Sequence, residues 1–175
     1  MTQYRRNWSA GGTYFFTVVT AIRRAGLLVE HIDDLRDAFR ISRAEYPFEI
    51  DAIVILPDHL HAIWTLPPGD VDYALRWKKI KARFSRQIPK NESRSASRTT
   101  KGERGVWQRR YWEHTIRDDK DFQTHFDYIH FNPVKHGYVT TAREWPHSSF
   151  KQYAAKNIYP LNWGGACDFD GEFGE

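Results

Sequence analysis

The stretch VILPDHLHAIW, residues 54–64, decides how the rest of the chain is read. Two β-prone runs, 48–56 and 59–66, flank Pro57-Asp58, which is a turn signal, so the segment is expected to be a β-hairpin. Side chains alternate across a strand. His59, His61, Ile63 and Thr65 therefore share one face, and Leu60, Ala62, Trp64 and Leu66 share the other. The second set is apolar and is expected to pack on helices, so the two imidazoles project together from the opposite side. At about 3.3 Å rise per residue their Cβ atoms lie roughly 7 Å apart, which leaves room for one ion between ring nitrogens. A histidine at a strand end is also commonly just a solvated polar group. Two imidazoles are too few ligands for a metal, so a site needs a third group from elsewhere.

Working outward, GGTYFFTVVT (11–20) is rich in β-branched and aromatic residues and is expected to be a first strand. Residues 31–46 carry Ile32, Leu35 and Phe39 at helical spacing and end at Pro47. After PPGD a second helix begins, with Asp70 as its expected N-cap and Tyr73, Trp77, Ile80, Phe84 and Ile88 along one stripe. A strand lies within 106–117. A third helix spans 118–132, with Phe122, Phe126 and Ile129 as its core face, and Pro133 is expected to stop it. The order β-α-β-β-α-β-α points to an α+β fold. It suggests a ferredoxin-like antiparallel sheet, of the kind RNA-recognition domains use, with helices packed on one face and the histidines on a central strand. One domain over 1–150 is expected, with 89–105 as a mobile basic loop and 151–175 as an irregular tail that ends acidic.

Composition narrows the function classes. A chain of 175 residues with 41% hydrophobic content can build a core, and a single cysteine, Cys167, excludes an internal disulfide framework. No apolar run reaches membrane-spanning length and no signal peptide is evident, so a cytoplasmic protein with no membrane partner is expected. Between 76 and 110 there are thirteen lysines and arginines against two glutamates. That local charge of +11 leaves the remainder of this +4 chain at −7. Such segregation suits a polyanion, most simply nucleic acid; a solvated helix face followed by a basic loop would give the same count.

The third helix offers the missing group. Tyr128 and Asn132 are four apart and share a stripe with His125, beside the core face. A phenol and an amide there could be delivered to an ion on the sheet. The same spacing also fits an amphipathic edge residue, with Asn132 as a C-cap before Pro133.

The segments PDHLHAIW, WQRRYWEHTIRDDKDF and DYIHFNPVKHG together resemble the REP-associated tyrosine transposases, bacterial members of the HUH (histidine-hydrophobe-histidine) single-tyrosine superfamily. The resemblance runs from YRRNW near the N-terminus to WPHSSF at 145–150. It implies that His59 and His61 hold a divalent ion, Mg²⁺ or Mn²⁺, and that Tyr128 is the nucleophile. Asn132 stands where related enzymes place a third metal ligand, often a glutamine. The implied activity is cleavage and rejoining of single-stranded DNA at hairpins of repetitive extragenic palindromes, through a 5′-phosphotyrosine. A monomer, rather than a homodimer, working in the cytoplasm at the nucleoid is implied as well. Arg76, Lys78, Lys79, Lys81, Arg83 and Arg86 are then candidates for tracking stem phosphates, with Arg5, Arg6, Arg109 and Arg110 as further contacts. Trp8, Tyr14, Trp107, Tyr111 and Trp112 are candidate stacking platforms, of which Tyr14 and Trp112 read better as core. Two alternatives stand beside this: a non-catalytic hairpin-binding regulator of the same fold, and a hydrolase using water as nucleophile.

Overall fold

The computed structural model describes residues 9–23, 26–90, 92 and 94–164. Its elements are β1 (Thr13–Val19), α1 (Leu27–Glu30), α2 (Ile32–Glu45), β2 (Glu49–Ile55), β3 (His59–Thr65), α3 (Tyr73–Gln87), α4 (Ala96–Thr100), β4 (Trp112–Thr115), α5 (Asp119–Lys135), a 3₁₀ turn (Ala142–Glu144) and α6 (Phe150–Ala155). The strands form one antiparallel sheet in the order β2-β3-β1-β4, the ferredoxin-like order. The histidine strand β3 is central, and its register pairs His61 with Thr17 and His59 with Val19.

Strand alternation builds two cores. Tyr14, Phe16 and Val18 of β1 join Leu60, Ala62 and Trp64 of β3 under α2 and α3. The Trp64 and Trp77 rings stack at 4.1 Å there, and the Phe48 ring packs against Trp64 at 4.2 Å. On the opposite face Phe15 and Ile63 meet Phe126 and Ile129 of α5 and Phe150 of α6. Helices thus cover both faces, where cover on one was expected, and the histidines emerge beneath α5.

Four local differences from the sequence expectation matter for the site. First, α5 runs through Pro133 to Lys135. A proline removes one backbone donor. Two residues from the helix end little of the ladder remains to lose, and the end is closed by His136 N–H on the Asn132 carbonyl at 3.0 Å and by Gly137 in the left-handed region (φ 70°). Second, Asp72 rather than Asp70 caps α3, accepting from the Leu75 N–H at 2.8 Å. Third, the 89–105 segment holds α4. Its Arg104 guanidinium binds the Ile88 carbonyl at 3.0 Å and Glu92 at 2.7 Å, which ties the segment to the end of α3.

Fourth, core packing continues past residue 150. Ala154 and Tyr159 are buried, and the Trp163 ring packs against Tyr159 at 4.4 Å, tilted by 40°. His130 sits among them, bonded to Ser149 Oγ at 2.8 Å and Tyr159 at 3.3 Å, and burial pulls its pKa down to about 3, so it is neutral near pH 7. No helix among the described residues is long and apolar enough to cross a membrane.

Candidate active site

The register of β3 and the pitch of α5 bring the site together. His61 is 1% exposed. Its Nδ1 lies 2.9 Å from the Thr17 hydroxyl, directly across the ladder, and its ring stacks on Phe15 at 5.5 Å. His59 has its ring 5.0 Å from that of His61, and its Nδ1 meets the Asp58 carboxylate at 2.7 Å. A carboxylate only accepts, so this contact assigns the proton to Nδ1 and directs the Nε2 lone pair away from Asp58. Burial, reinforced by the charges of His59, His136 and Lys135, holds the His61 pKa well below the usual imidazole value. Its ring is therefore neutral at pH 7 and able to act as a ligand.

Along α5 and its C-cap, Tyr128, Asn132 and His136 recur every four residues, on one stripe. The Tyr128 ring is 5.2 Å from that of His61, and the His136 ring is 5.3 Å from that of His59. Asn132 lies between these two contacts, so it faces the histidine pair. It is fully buried, and neither its amide oxygen nor its amide nitrogen has a hydrogen-bond partner. The buried Nε2 of His61 also has none. Buried polar atoms left unsatisfied cost about 1–3 kcal/mol each and are rare without a functional reason. The His61 Nε2 and the Asn132 amide oxygen, held out of solvent and lacking hydrogen-bond partners, together with the neighbouring His59 ring, are a donor set that fits a divalent ion such as Mn²⁺. A further neighbour is Lys135, whose ammonium lies 4.9 Å from the Tyr128 ring centroid and 3.5 Å from its hydroxyl. Lys135 and His136 were missed from the sequence because Pro133 was expected to end the helix. Their i+7 and i+8 spacing from Tyr128 was the available signal.

A cavity of about 700 Å³ opens beside His59 and His136, walled by Arg23, Arg110, Trp112 and Tyr138. A second groove of about 650 Å³ meets it at Gln108 and Tyr111 and is lined by Lys78, Lys81, Arg86, Arg98 and Arg109. The basic residues divide accordingly. Arg76 is 3% exposed and bonded to the carbonyls of Asp72 and Pro47 and to Asp70 Oδ2, at 2.7–2.8 Å. It fastens α3 to the α2–β2 turn and is removed from the DNA-contact set. Lys79 and Arg83 turn toward α2, where both pair with Glu45. Arg109 pairs with Glu103 at 2.8 Å on the groove wall. Arg5, Arg6 and Trp8 lie outside the described residues. Tyr14 and Trp107 are core, as is most of Tyr111, but Trp112 is 40% exposed, against the expectation that it is core.

Among the described residues, His114, Asp121 and His125 form another cluster with metal-binding residue types. Asp121 accepts from His114 Nε2 at 2.8 Å and from the Arg117 N–H at 3.0 Å. Burial alone would raise the Asp121 carboxyl; these hydrogen bonds outweigh it and hold the pKa below the usual value. The His114 and His125 rings lie nearly parallel, 4.7 Å apart at 18°. In-plane lone pairs on such rings run side by side and do not converge, so the arrangement serves as a hydrogen-bonded brace between β4 and α5.

The family model described as "Transposase IS200 like" matches residues 10–132, which include both histidines, Tyr128 and Asn132. The REP-associated tyrosine transposase of Escherichia coli K12 is 44% identical over 165 residues, 94% of this chain and 92% of that protein. The chain belongs to the REP-associated tyrosine transposases. A Haemophilus influenzae relative is 47% identical over 173 residues, 96% of each chain. A solved REP-associated tyrosine transposase bound to a REP hairpin superposes with a TM-score of 0.81 at 43% identity, covering 99% of this chain and 98% of that one. Lys135 and His136 of this transposase lie beyond the stretch that the family model matches.

Proposed function

We propose that this transposase cleaves and rejoins single-stranded DNA at REP-type hairpins through a covalent bond to Tyr128. The reading rests on one observation: a buried phenol, two imidazoles and a buried amide whose own polar atoms have no hydrogen-bond partner converge between β3 and α5. A relative of the same fold bound to a REP hairpin supports the substrate class. His59, His61 and Asn132 would hold Mg²⁺ or Mn²⁺, which would polarise the scissile phosphate and offset charge in the transition state.

Every other part is supplied by the chain. The Tyr128 oxygen forms a bond to phosphorus as the bond from phosphorus to the 3′ oxygen breaks. The phenol proton is matched by the proton that the leaving 3′ oxygen acquires. One phosphodiester replaces another, so an incoming 3′-OH reverses the step without ATP. All these groups come from one chain, so a monomer suffices.

The two joined grooves offer the DNA path. Lys78, Lys81, Arg86 and Arg98 would follow stem phosphates, and the exposed Trp112, backed by the parallel His114 ring at 5.9 Å, would stack an unpaired base. Burial lowers the Lys81 pKa to about 8, which leaves it mostly charged at pH 7, and a nearby phosphate would raise that pKa again. Replacing Lys78, Arg86 or Arg98 singly by alanine should weaken hairpin binding and reduce the slope of log K against log salt by roughly 1 each, read by fluorescence anisotropy across salt. Slopes equal to wild type would move the stem elsewhere. Asp58→Ala should weaken Mn²⁺ affinity roughly 10- to 100-fold by releasing the His59 ring, as measured by calorimetric titration. An unchanged affinity would remove His59 from the metal set.

A second reading, a hairpin-binding regulator without catalysis, draws on one observation: Tyr128 is only 1% exposed, so DNA must open a path to it. Incubation with a hairpin oligonucleotide and Mn²⁺, followed by a denaturing gel, separates the readings. Retention of DNA on the protein supports cleavage through Tyr128; intact free DNA supports the regulator.

A further inference from the structure

We infer that Lys135 is a catalytic residue of the strand-transfer reaction, a charge clamp on the attacking oxygen. The inference rests on the tyrosine-transfer reading above. Lys135 reaches back along α5 by two turns, the i+7 relation that places it over Tyr128. Its ammonium is 3.5 Å from the phenol oxygen and 4.9 Å from the ring centroid, so it covers both the oxygen and one face of the ring. It is close enough to His61 for its charge to act on that ring too.

The chemistry requires such a charge. A phenol oxygen gaining negative character must approach a phosphodiester that is already an anion. As the oxygen–phosphorus bond forms, negative charge accumulates on the phenol oxygen and the phosphoryl oxygens while the 3′ oxygen departs. A cation fixed beside the phenol oxygen offsets the repulsion as it develops. After transfer it remains within reach of the phosphotyrosine, so it assists the reverse attack by a 3′-OH equally. The burial of Tyr128 strengthens the effect, since a charge acts over a few ångströms with little screening in a site that excludes water. The pair is carried on one helix, so the backbone keeps the ammonium within reach of the phenol oxygen. The passage of α5 through Pro133 is what makes this possible; a helix ending at Asn132 would release residue 135.

The test compares Lys135→Gln, Lys135→Met and Lys135→Arg under single-turnover conditions with a REP hairpin oligonucleotide carrying single-stranded flanks, plus Mn²⁺. Adduct formation is the readout, and affinity for the same oligonucleotide is measured separately in a Tyr128→Phe background, where no adduct can form. The Gln and Met variants should form adduct about 100-fold more slowly. The Arg variant should recover to within about tenfold of wild type, with affinities changed less than about threefold throughout. Wild-type rates in Gln and Met would overturn the assignment. So would an Arg variant as slow as Gln, or a slowdown matched by lost affinity. If the wild-type protein itself forms no adduct, the tyrosine-transfer reading fails and this inference with it, an outcome visible before any variant is compared.

Discussion

Tyr128→Phe is expected to bind hairpin DNA with the affinity of the parent protein and to form no covalent adduct, a loss of at least about 10⁴-fold in cleavage. The substitution removes one oxygen and leaves the ring, which packs against His61 and Phe15. Packing is therefore preserved, and the buried phenyl group costs little stability. The oxygen itself is the atom that attacks phosphorus, so its removal abolishes the step. Tyr111 and Tyr138 border the cavity, but each lies on a loop outside the α5 stripe. Gel shift and denaturing electrophoresis on the same samples read binding and adduct separately. Adduct from the Phe variant at the parent rate would remove Tyr128 from the reaction.

Asn132→Leu is expected to raise the stability of the metal-free protein while it disables the site. The native amide is buried with both polar atoms unsatisfied. Leucine has nearly the same shape and no polar atoms, so it removes a penalty of about 1–3 kcal/mol for each of the two atoms. For a chain of this length that corresponds to a rise in melting temperature of roughly 2–4 °C per kcal/mol. The same change removes a ligand. Added Mn²⁺ should then stabilise the variant far less than it stabilises the wild type, and adduct formation should fall by about 100-fold or more. Thermal melts with and without Mn²⁺ give the first two results, and the denaturing gel gives the third. A variant less stable than wild type without metal would show that the Asn132 amide is satisfied in solution. A variant with an unchanged Mn²⁺ effect would show that it is not a ligand.

Much of the fold was legible because hydrophobic period states which face is buried. The alternation in 59–66 by itself separates the imidazoles from Trp64, and the stripe of Tyr73, Trp77, Ile80 and Phe84 is the face of α3 in the core. What escaped shows where one-dimensional reading stops. Arg76, Lys79 and Arg83 count toward a basic segment in sequence, yet Asp70 and Glu45 meet them in space, and charge counts carry no such pairing. Pro133 breaks an average helix, but the cost depends on how many backbone bonds follow it, and here few do. The segment beyond residue 140 lacks a period because its Tyr153, Tyr159 and Trp163 pack from turns and a short helix against α5. The brace of His114, Asp121 and His125 joins a strand to a helix, and spacing alone does not reveal it.

At the site, the histidine pair was legible from the strand and Tyr128 from the resemblance. The sequence also suggested that Asn132 could be a helix cap. That alternative is settled geometrically, because α5 continues past it and its side chain is buried without partners.

The central claim is that a phosphate bond forms at Tyr128, and peptide mapping tests it most directly. The wild-type protein is incubated with hairpin DNA and Mn²⁺, the DNA is trimmed by nuclease, and the digested protein is read by mass spectrometry. The account predicts a nucleotide attached by its 5′ phosphate to the peptide containing Tyr128. A nucleotide on Tyr111 or Tyr138, or cut DNA with no modified peptide, would contradict it.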